Sequence, residues 1–486
     1  MRPQVIIYLL GVLLSLLGVL MLVPFGVSVL YRGPDQAALL VSALVTGGAG
    51  GAMWFFTRKQ SGAVKRKESF IVVALAWLLA SAFGALPYLL AGSFANPIDA
   101  YFEAMSGFTT AGASVMTDIE VHPQGILFWR SLTQWIGGLG IVALFLGILP
   151  MVRVGGLGAS ALYEDEVTGP KADRVTPRIQ ETAGAALRSY LVFSLLGTTM
   201  LVVAGMSVFD ASTHTLSAIG TGGFSIRNAS MGYYDSPAIH WIVSIMMVLG
   251  GVNFGLFYFV WKGKATLMLR STEFRVYLGM VVAGSLLVAT DLLLHGRVTS
   301  VFEAVTKGTF QFVSLHTGTG LVIDDYDQWP GFSKTLMLFA MFVGASAGST
   351  CGALKVVRLV MLAKYAHRQV YSAFHPRVIL PLKMNGKVIP EEIVRETVSF
   401  FVVYEAVLVV STLAVSAMGL DFITAFTGSL ATMAIVGPGF GGVGPTLNYS
   451  AIPDPAKVVF MFNMFVGRLE FWTVLILLRS AFWKER

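Results

Sequence analysis

Ten apolar runs, most of them near the roughly 20 residues that carry a helix across a bilayer, divide this chain at about 5–30, 36–57, 69–91, 125–151, 189–207, 238–261, 276–294, 332–363, 393–419 and 455–482. A chain built this way folds against lipid. One water-soluble core cannot hide so much apolar surface, which excludes a soluble enzyme. Only 13% of the 486 residues are charged, where a soluble protein carries roughly 25%. The first run follows Arg2 and outlasts the ~7 to 15 residue core of a cleavable signal, so it reads as a retained helix. An even number of crossings leaves both termini on one side.

The basic residues say which side that is. Twenty-four Lys and Arg fall in loops on the N-terminal side, and seven fall opposite: Arg32, Arg130, Arg227, Arg297, Lys307, Lys334 and Lys457. Lys355, Arg358 and Arg468 lie within or at the edge of spans. By the positive-inside rule both termini are cytoplasmic. The net charge of +7 is therefore a mark of topology and not a nucleic-acid footprint. A single cysteine, Cys351, excludes an intrachain disulfide and a thiolate metal cluster. The text match to G-x-G-x-x-G at 437–442 lacks the strand, turn and helix that would cradle a pyrophosphate. No cofactor is expected in this chain.

Four of the five outward loops carry a short apolar segment, too short to cross, followed by a Gly-rich polar stretch. They lie at 101–114, 213–225, 310–321 and 430–441. In each, a small residue precedes a glycine by six positions: Ser106 and Gly112, Ser217 and Gly223, Ser314 and Gly320, Ala431 and Gly437. A period near one hundred residues makes this a fourfold repeat of helix, re-entrant segment, helix. Non-helical backbone at membrane depth survives only where protein buries it or water lines it. Four such segments around one axis aim carbonyl oxygens at a common pore, with glycine supplying the backbone angles. The natural guest is a dehydrated cation. Asp99, Glu103, Asp210, Glu303 and Asp421 sit at or near the segment starts, where carboxylates favour a helix N-terminus. By this topology 14 of the 27 acids are external, giving an acidic outer face. Each acid taken singly also reads as a cap or a solvated loop charge.

With Phe-Thr-Thr-Ala-Gly-Ala-Ser at 108–114, Gln-Trp-Ile-Gly-Gly-Leu-Gly at 134–140 and Gly-Ala-Ser-Ala-Gly-Ser-Thr-Cys-Gly-Ala-Leu-Lys at 344–355, nearly the whole chain resembles the Trk/Ktr/HKT superfamily of potassium uptake proteins. The two extra spans, at 5–30 and 36–57, that precede the first repeat are similar to the TrkH branch. That resemblance implies an all-α integral membrane protein with four pseudo-symmetric helix/pore-loop/helix repeats around one pore, preceded by two extra helices. The units are then 1–68 for the extra helices, 69–152, 153–262 and 263–365 for repeats 1 to 3, and 366–486 for repeat 4. It implies potassium as substrate, held largely by backbone carbonyls of Thr110, Ala111 and Gly112, of Thr221, Gly222 and Gly223, of Thr319 and Gly320, and of Val436 and Gly437. Gly439 rivals Gly437 in the fourth loop. All four positions can be glycine, which by resemblance points to potassium over sodium. The resemblance also implies a homodimer in a bacterial inner membrane, bound to a cytoplasmic nucleotide-sensing ring of the TrkA type. The long cytoplasmic loops at 152–188 and 364–395 suit such docking, and equally suit plain solvated loops.

Two further features bear on gating. The span at 332–363 is interrupted by Gly344, Ala345, Ser346, Ala347, Gly348, Ser349, Thr350, Cys351 and Gly352, with no large apolar side chain among them. Glycines four apart also fit close helix packing, but an unwound intramembrane loop is the favoured reading, and by resemblance it obstructs the path below the filter. Arg468 stands midway in the last span, where a charge faces a cavity or a partner. By resemblance it is a positive barrier beside the loop; as a plain structural pair its partner would be a Glu, with Glu405 better placed than Glu470. His316 is expected to orient the filter loop through a hydrogen bond. The alternative function is a secondary transporter of another cation or small solute built on broken helices, which calls for two inverted halves.

Overall fold

The computed structural model describes residues 1–58, 65–140, 179–376, 378, 380 and 381–484. Part of the expected fourth span, most of the loop at 152–188, and the bases Lys59, Arg153, Lys171, Arg174, Arg178, Arg377 and Arg486 lie outside the described residues. Among the described residues, seven helices are long and apolar enough to cross a membrane: Pro3–Leu30, Gln36–Thr57, Lys67–Leu90, Gly184–Val203, Thr272–Leu294, Glu391–Ala417 and Asp454–Leu478. Each coincides with an expected span. Two more of the expected spans are broken. Pro237–Gly250 and Phe254–Trp261 meet at a 95° bend, where Asn253 caps the second piece by accepting from Gly255 N at 2.9 Å. The span expected at 332–363 is helical over Gly331–Phe342 and again over Val356–Phe374, with non-helical chain between.

Close packing explains several glycines. The N-terminal hairpin presses Gly11 and Gly18 of Pro3–Leu20 against Gly50 and Gly47 of Gln36–Thr57, leaving no room for a Cβ at Gly11, Gly18 or Gly50. Asp35, 2% exposed at the turn of that hairpin, accepts from Ser28 and from Ile126 N, the latter at 2.9 Å. The buried carboxylate thereby ties the two extra helices to Gln124–Leu139 of repeat 1. Among the described residues the only paired strands are Lys383–Met384 and Lys387–Val388, on the expected cytoplasmic side. Their two-residue turn, Asn385 and Gly386, has φ of 51° and 78°, the left-handed pair that an Asn-Gly hairpin requires.

The four short segments are helices of 12 to 16 residues: Pro97–Thr109, Val208–Ile219, Val301–His316 and Phe422–Ala434, here called pore helices 1 to 4. None is long enough to cross a bilayer. Each is buried over most of its length and is followed directly by a Gly-rich turn. Three N-termini are capped by side chains expected of caps: Asn96 accepts from Ile98 N, Ser207 from Asp210 N, and Asp421 from Ile423 N and Thr424 N. In repeats 1, 2 and 4 the helix that follows packs on the pore helix through glycine. A Cβ on Gly137, Gly250 or Gly467 would press on the carbonyl of Phe108, Ile219 or Met433 respectively, each four positions before a repeat glycine.

Candidate functional site: four matching turns and the loop beneath them

Each pore helix ends in a similar way. In repeat 1 the amide of Ala111 donates to Ser106 O at 2.9 Å and that of Thr110 to Gly107 O at 3.1 Å. Repeat 2 matches with Gly222 on Ser217 O and Thr221 on Ala218 O, and repeat 3 with Thr319 on Ser314 O and Gly318 on Leu315 O. In repeat 4 Val436 N donates to Ala431 O at 2.9 Å, but Ile435 N donates to the same carbonyl, so only the longer of the two bonds is kept there. The pairs in repeats 1 to 3 are the crossed bonds of a Schellman motif, which needs a left-handed residue just past the helix. That residue is Thr110 (φ 61°), Thr221 (49°), Gly318 (68°) or Ile435 (60°). Three of the four are not glycine, at a cost of about 1–2 kcal/mol each. Two positions on, φ is positive again at Gly112 (74°), Gly223 (85°), Gly320 (77°) and Gly437 (94°). Left-handed residues alternating with ordinary ones turn successive peptide groups toward one side. The spacing of six between small residue and glycine is thus the register of the cap. Gly439 is absent from the positive-φ set, and its carbonyl accepts from Tyr326 Oη at 3.0 Å.

The four turns close a ring. A Cβ on Gly112 would overlap Gly222 O of repeat 2, one on Gly223 would overlap Thr319 O of repeat 3, and one on Gly320 would overlap Val436 O of repeat 4. A Cβ on Gly437 would lie 2.8 Å from Ala111 O of repeat 1. Each turn therefore sets its middle carbonyl against the glycine of its neighbour, and no residue with a side chain fits. Two expected ligand carbonyls also accept protein hydrogen bonds: Gly222 O from Gln134 Nε2 at 2.6 Å, and Gly437 O from Tyr449 Oη at 2.8 Å. Gln134 also accepts from Ser217 Oγ and Phe224 N, so repeat 1 braces the turn of repeat 2.

Directly beneath lies the interrupted span. Val343 bridges to Leu354, Gly344 N donates to Leu354 O, and 343–355 forms a closed loop. Thr350 Oγ1 and Thr221 Oγ1 are 2.7 Å apart, Cys351 Sγ is 3.0 Å from where a Cβ on Gly318 would stand, and Gly352 packs on Ala434 O and Ile435. Arg468 supplies the contact to repeat 1. Its guanidinium donates to Thr350 O at 2.6 Å and to Gly137 O, and lies 3.4 Å from Thr110 Oγ1. The loop thereby touches turns 2, 3 and 4 directly and turn 1 through Arg468. It hangs from repeats 2 and 3: Ser346 N donates to Gly251 O, Thr350 N to Gly250 O, Gly348 O accepts from Phe254 N, and Ala347 N donates to the buried Glu273 carboxylate at 2.5 Å. Lys355, 1% exposed, donates to Cys351 O.

Several residues stand elsewhere than expected. Glu103 is not at a helix start but in the middle of pore helix 1, fully buried on Arg130. Glu470 pairs with Arg358 at 2.6 Å, because the last span breaks at Glu470 itself (φ 58°, ψ 145°) and turns its side chain off the straight-helix direction. His316 does not reach the filter turn: its Nδ1 is 2.7 Å from Val343 O, so it anchors the start of the loop, stacked between Tyr277 and Phe312. The face expected to be external is less acidic than a count of carboxylates suggests, since Asp99 holds Lys457, Asp210 holds Arg227 and Asp324 holds Lys307.

Comparison with known proteins identifies the family and the fold. A family model described as "Cation transport protein", TrkH, matches residues 38–485. The chain is 36% identical to the "Trk system potassium uptake protein TrkH" of Escherichia coli strain K12 over 488 residues, covering 100% of both. It is 31% identical to TrkG of the same strain, over 99% of each chain. Among solved structures, the crystal structure of the potassium transporter TrkH from Vibrio parahaemolyticus superposes with a TM-score of 0.89 at 35% identity, covering 100% of both chains. The chain belongs to the TrkH family of cation transport proteins.

Proposed function

We propose that this protein takes up potassium across a bacterial inner membrane, passing the ion through the ring of four turns and past the 343–355 loop. The observation that carries the reading is the closed ring, in which four turns of like backbone pattern each set a carbonyl against the next glycine. Carbonyls of Thr110, Ala111, Gly112, Thr221, Gly222, Gly223, Thr319, Gly320, Val436 and Gly437 replace the ion's water. The loop at 344–352 and Arg468 form the closed gate, with the guanidinium charge opposing a cation directly below the turns. Both termini face the cytoplasm, the chain works as a homodimer, and a nucleotide-binding ring of the TrkA type docks on its cytoplasmic side to move the gate. The relatives' names supply potassium, and the charge asymmetry of the loops supplies the orientation.

Rubidium uptake into liposomes holding the purified protein and its regulatory ring tests this directly. Flux above empty vesicles is expected, and its absence sinks the reading. Gly112→Ser brings a Cβ onto Gly222 O, and is expected to weaken potassium over sodium discrimination; unchanged selectivity removes Gly112 from the filter.

A further inference from the structure

Nine positions before each filter glycine, on the pore helix of the same repeat, stand Glu103, His214, Gln311 and Gly428. In three repeats this side chain reaches the strand that leaves the turn. Glu103 accepts from Ser114 Oγ and from Val115 N, both at 2.9 Å. His214 Nε2 lies 2.9 Å from Ser225 Oγ, while its Nδ1 is held by Asp210 O. Gln311 Oε1 accepts from Ile323 N at 3.4 Å. Where Gly428 offers no side chain, its neighbour Thr427 takes over, accepting from Phe440 N at 3.0 Å and donating to Phe440 O at 3.1 Å. Ser114 and Ser225 stand two positions after their glycines; Val115, Ile323 and Phe440 stand three after. Every repeat thus has a strut from pore helix to filter exit.

Only the first strut is ionic, and it reaches into a second repeat. Arg130, 1% exposed, comes from the helix that follows the first turn. Its Nε donates to Glu103 Oε1 at 2.8 Å, and its terminal nitrogens donate to Ser225 O at 2.8 Å and Ser114 Oγ at 3.1 Å. The guanidinium lies 4.2 Å from the ring centre of Phe224. One planar fork therefore holds the exit strand of repeat 1 and the exit strand of repeat 2. A buried ion pair is a poor device for stability alone, because an apolar pair of like volume often does as well. What a guanidinium fork supplies is a fixed separation between its partners.

We propose that Glu103 and Arg130 are positioning residues that set the separation of the first and second filter turns and so the ion discrimination of the ring. The proposal rests on the reading of Gly112 and Gly223 as filter glycines. It follows whether discrimination arises from cavity size or from the number and field of the carbonyls, since both depend on how far apart the turns stand.

The test is the ratio of sodium to rubidium uptake in liposomes holding equal amounts of folded protein with its regulatory ring. Arg130→Lys keeps the charge and loses the fork. The double variant Glu103→Gln/Arg130→Gln keeps the shapes and leaves no charge buried alone, so it decides the matter if the single variant does not fold. The control Arg2→Gln/Glu68→Gln removes another ion pair, distant from the ring, in which the Glu68 carboxylate is also buried. At least a fivefold rise in the ratio is expected for the Arg130 variants, with the control at the wild-type ratio. A pair with a purely structural role would lower the yield of folded protein and leave the ratio unchanged, and that result overturns the proposal. No rubidium flux in the wild type is a different failure, that of the filter reading itself.

Discussion

The four turns read as a filter and the loop beneath them are all Gly-rich, non-helical and buried, yet their backbone amides are held differently. Each turn takes its cap bonds from its own pore helix. The loop takes many of its bonds from other repeats: from Gly250 and Gly251 at the bend of repeat 2, and from Arg468 of repeat 4. Backbone held by its own helix stays put when neighbours shift, while backbone held by distant elements follows them. That is the division of labour that the proposed filter and the proposed gate require.

The largest effects are expected at the ring. Gly320→Ala would force a left-handed alanine, at about 1–2 kcal/mol, and overlap Val436 O and Pro438 Cδ, adding about 1–3 kcal/mol of overpacking. A fall in rubidium uptake of at least tenfold is expected at equal protein; near-normal uptake would show that this turn yields as easily as the loop. Arg468→Ala comes next. Hydrogen bonds from a charged group contribute about 1.5–3 kcal/mol, so losing those to Thr350 O and Gly137 O should raise flux without the regulatory ring about tenfold. A fall in flux with normal folding would contradict the barrier role.

Smaller effects sharpen the contrast. Thr350→Val removes the hydroxyl contacts to Thr221 Oγ1 and Gly250 O. At about 1 kcal/mol for a neutral hydrogen bond, basal leak read as vesicle rubidium efflux should rise a few-fold, with selectivity unaltered. Cys351→Ser is expected to change uptake less than twofold. Because Cys351 is the only cysteine and is 2% exposed, maleimide labelling of the closed protein should be slow, and faster in Arg468→Ala. Equal labelling rates would mean the loop does not move when that arginine is lost.

Much of this was legible in the residues. Apolar runs gave the spans because lipid imposes length on every crossing element, and the six-residue spacing before Gly112, Gly223 and Gly320 was legible because one cap geometry recurs. Run length could not see breaks that leave hydropathy unchanged. The bend at 251–253 sits inside a continuous apolar stretch, signalled only by paired glycines and the capping Asn253. The break at Glu470 falls on a residue that is not glycine. Pairings across sequence, such as Glu103 with Arg130 or Arg358 with Glu470, depend on which helices become neighbours, which periodicity along one helix does not encode. The shared offset of Glu103, His214 and Gln311 from their glycines was nonetheless present in the repeat.

The bend at Gly250 and Gly251 has a last consequence, for solvation. A straight helix would satisfy the carbonyls of these residues from its own next turn; here they accept from Thr350 N and Ser346 N of the loop. Withdrawing the loop strips those acceptors at membrane depth, where only protein or water can replace the donors. On the proposed gating, opening is therefore a hydration step: water must enter with the departing loop, and the rate of opening should fall when osmolyte lowers water activity.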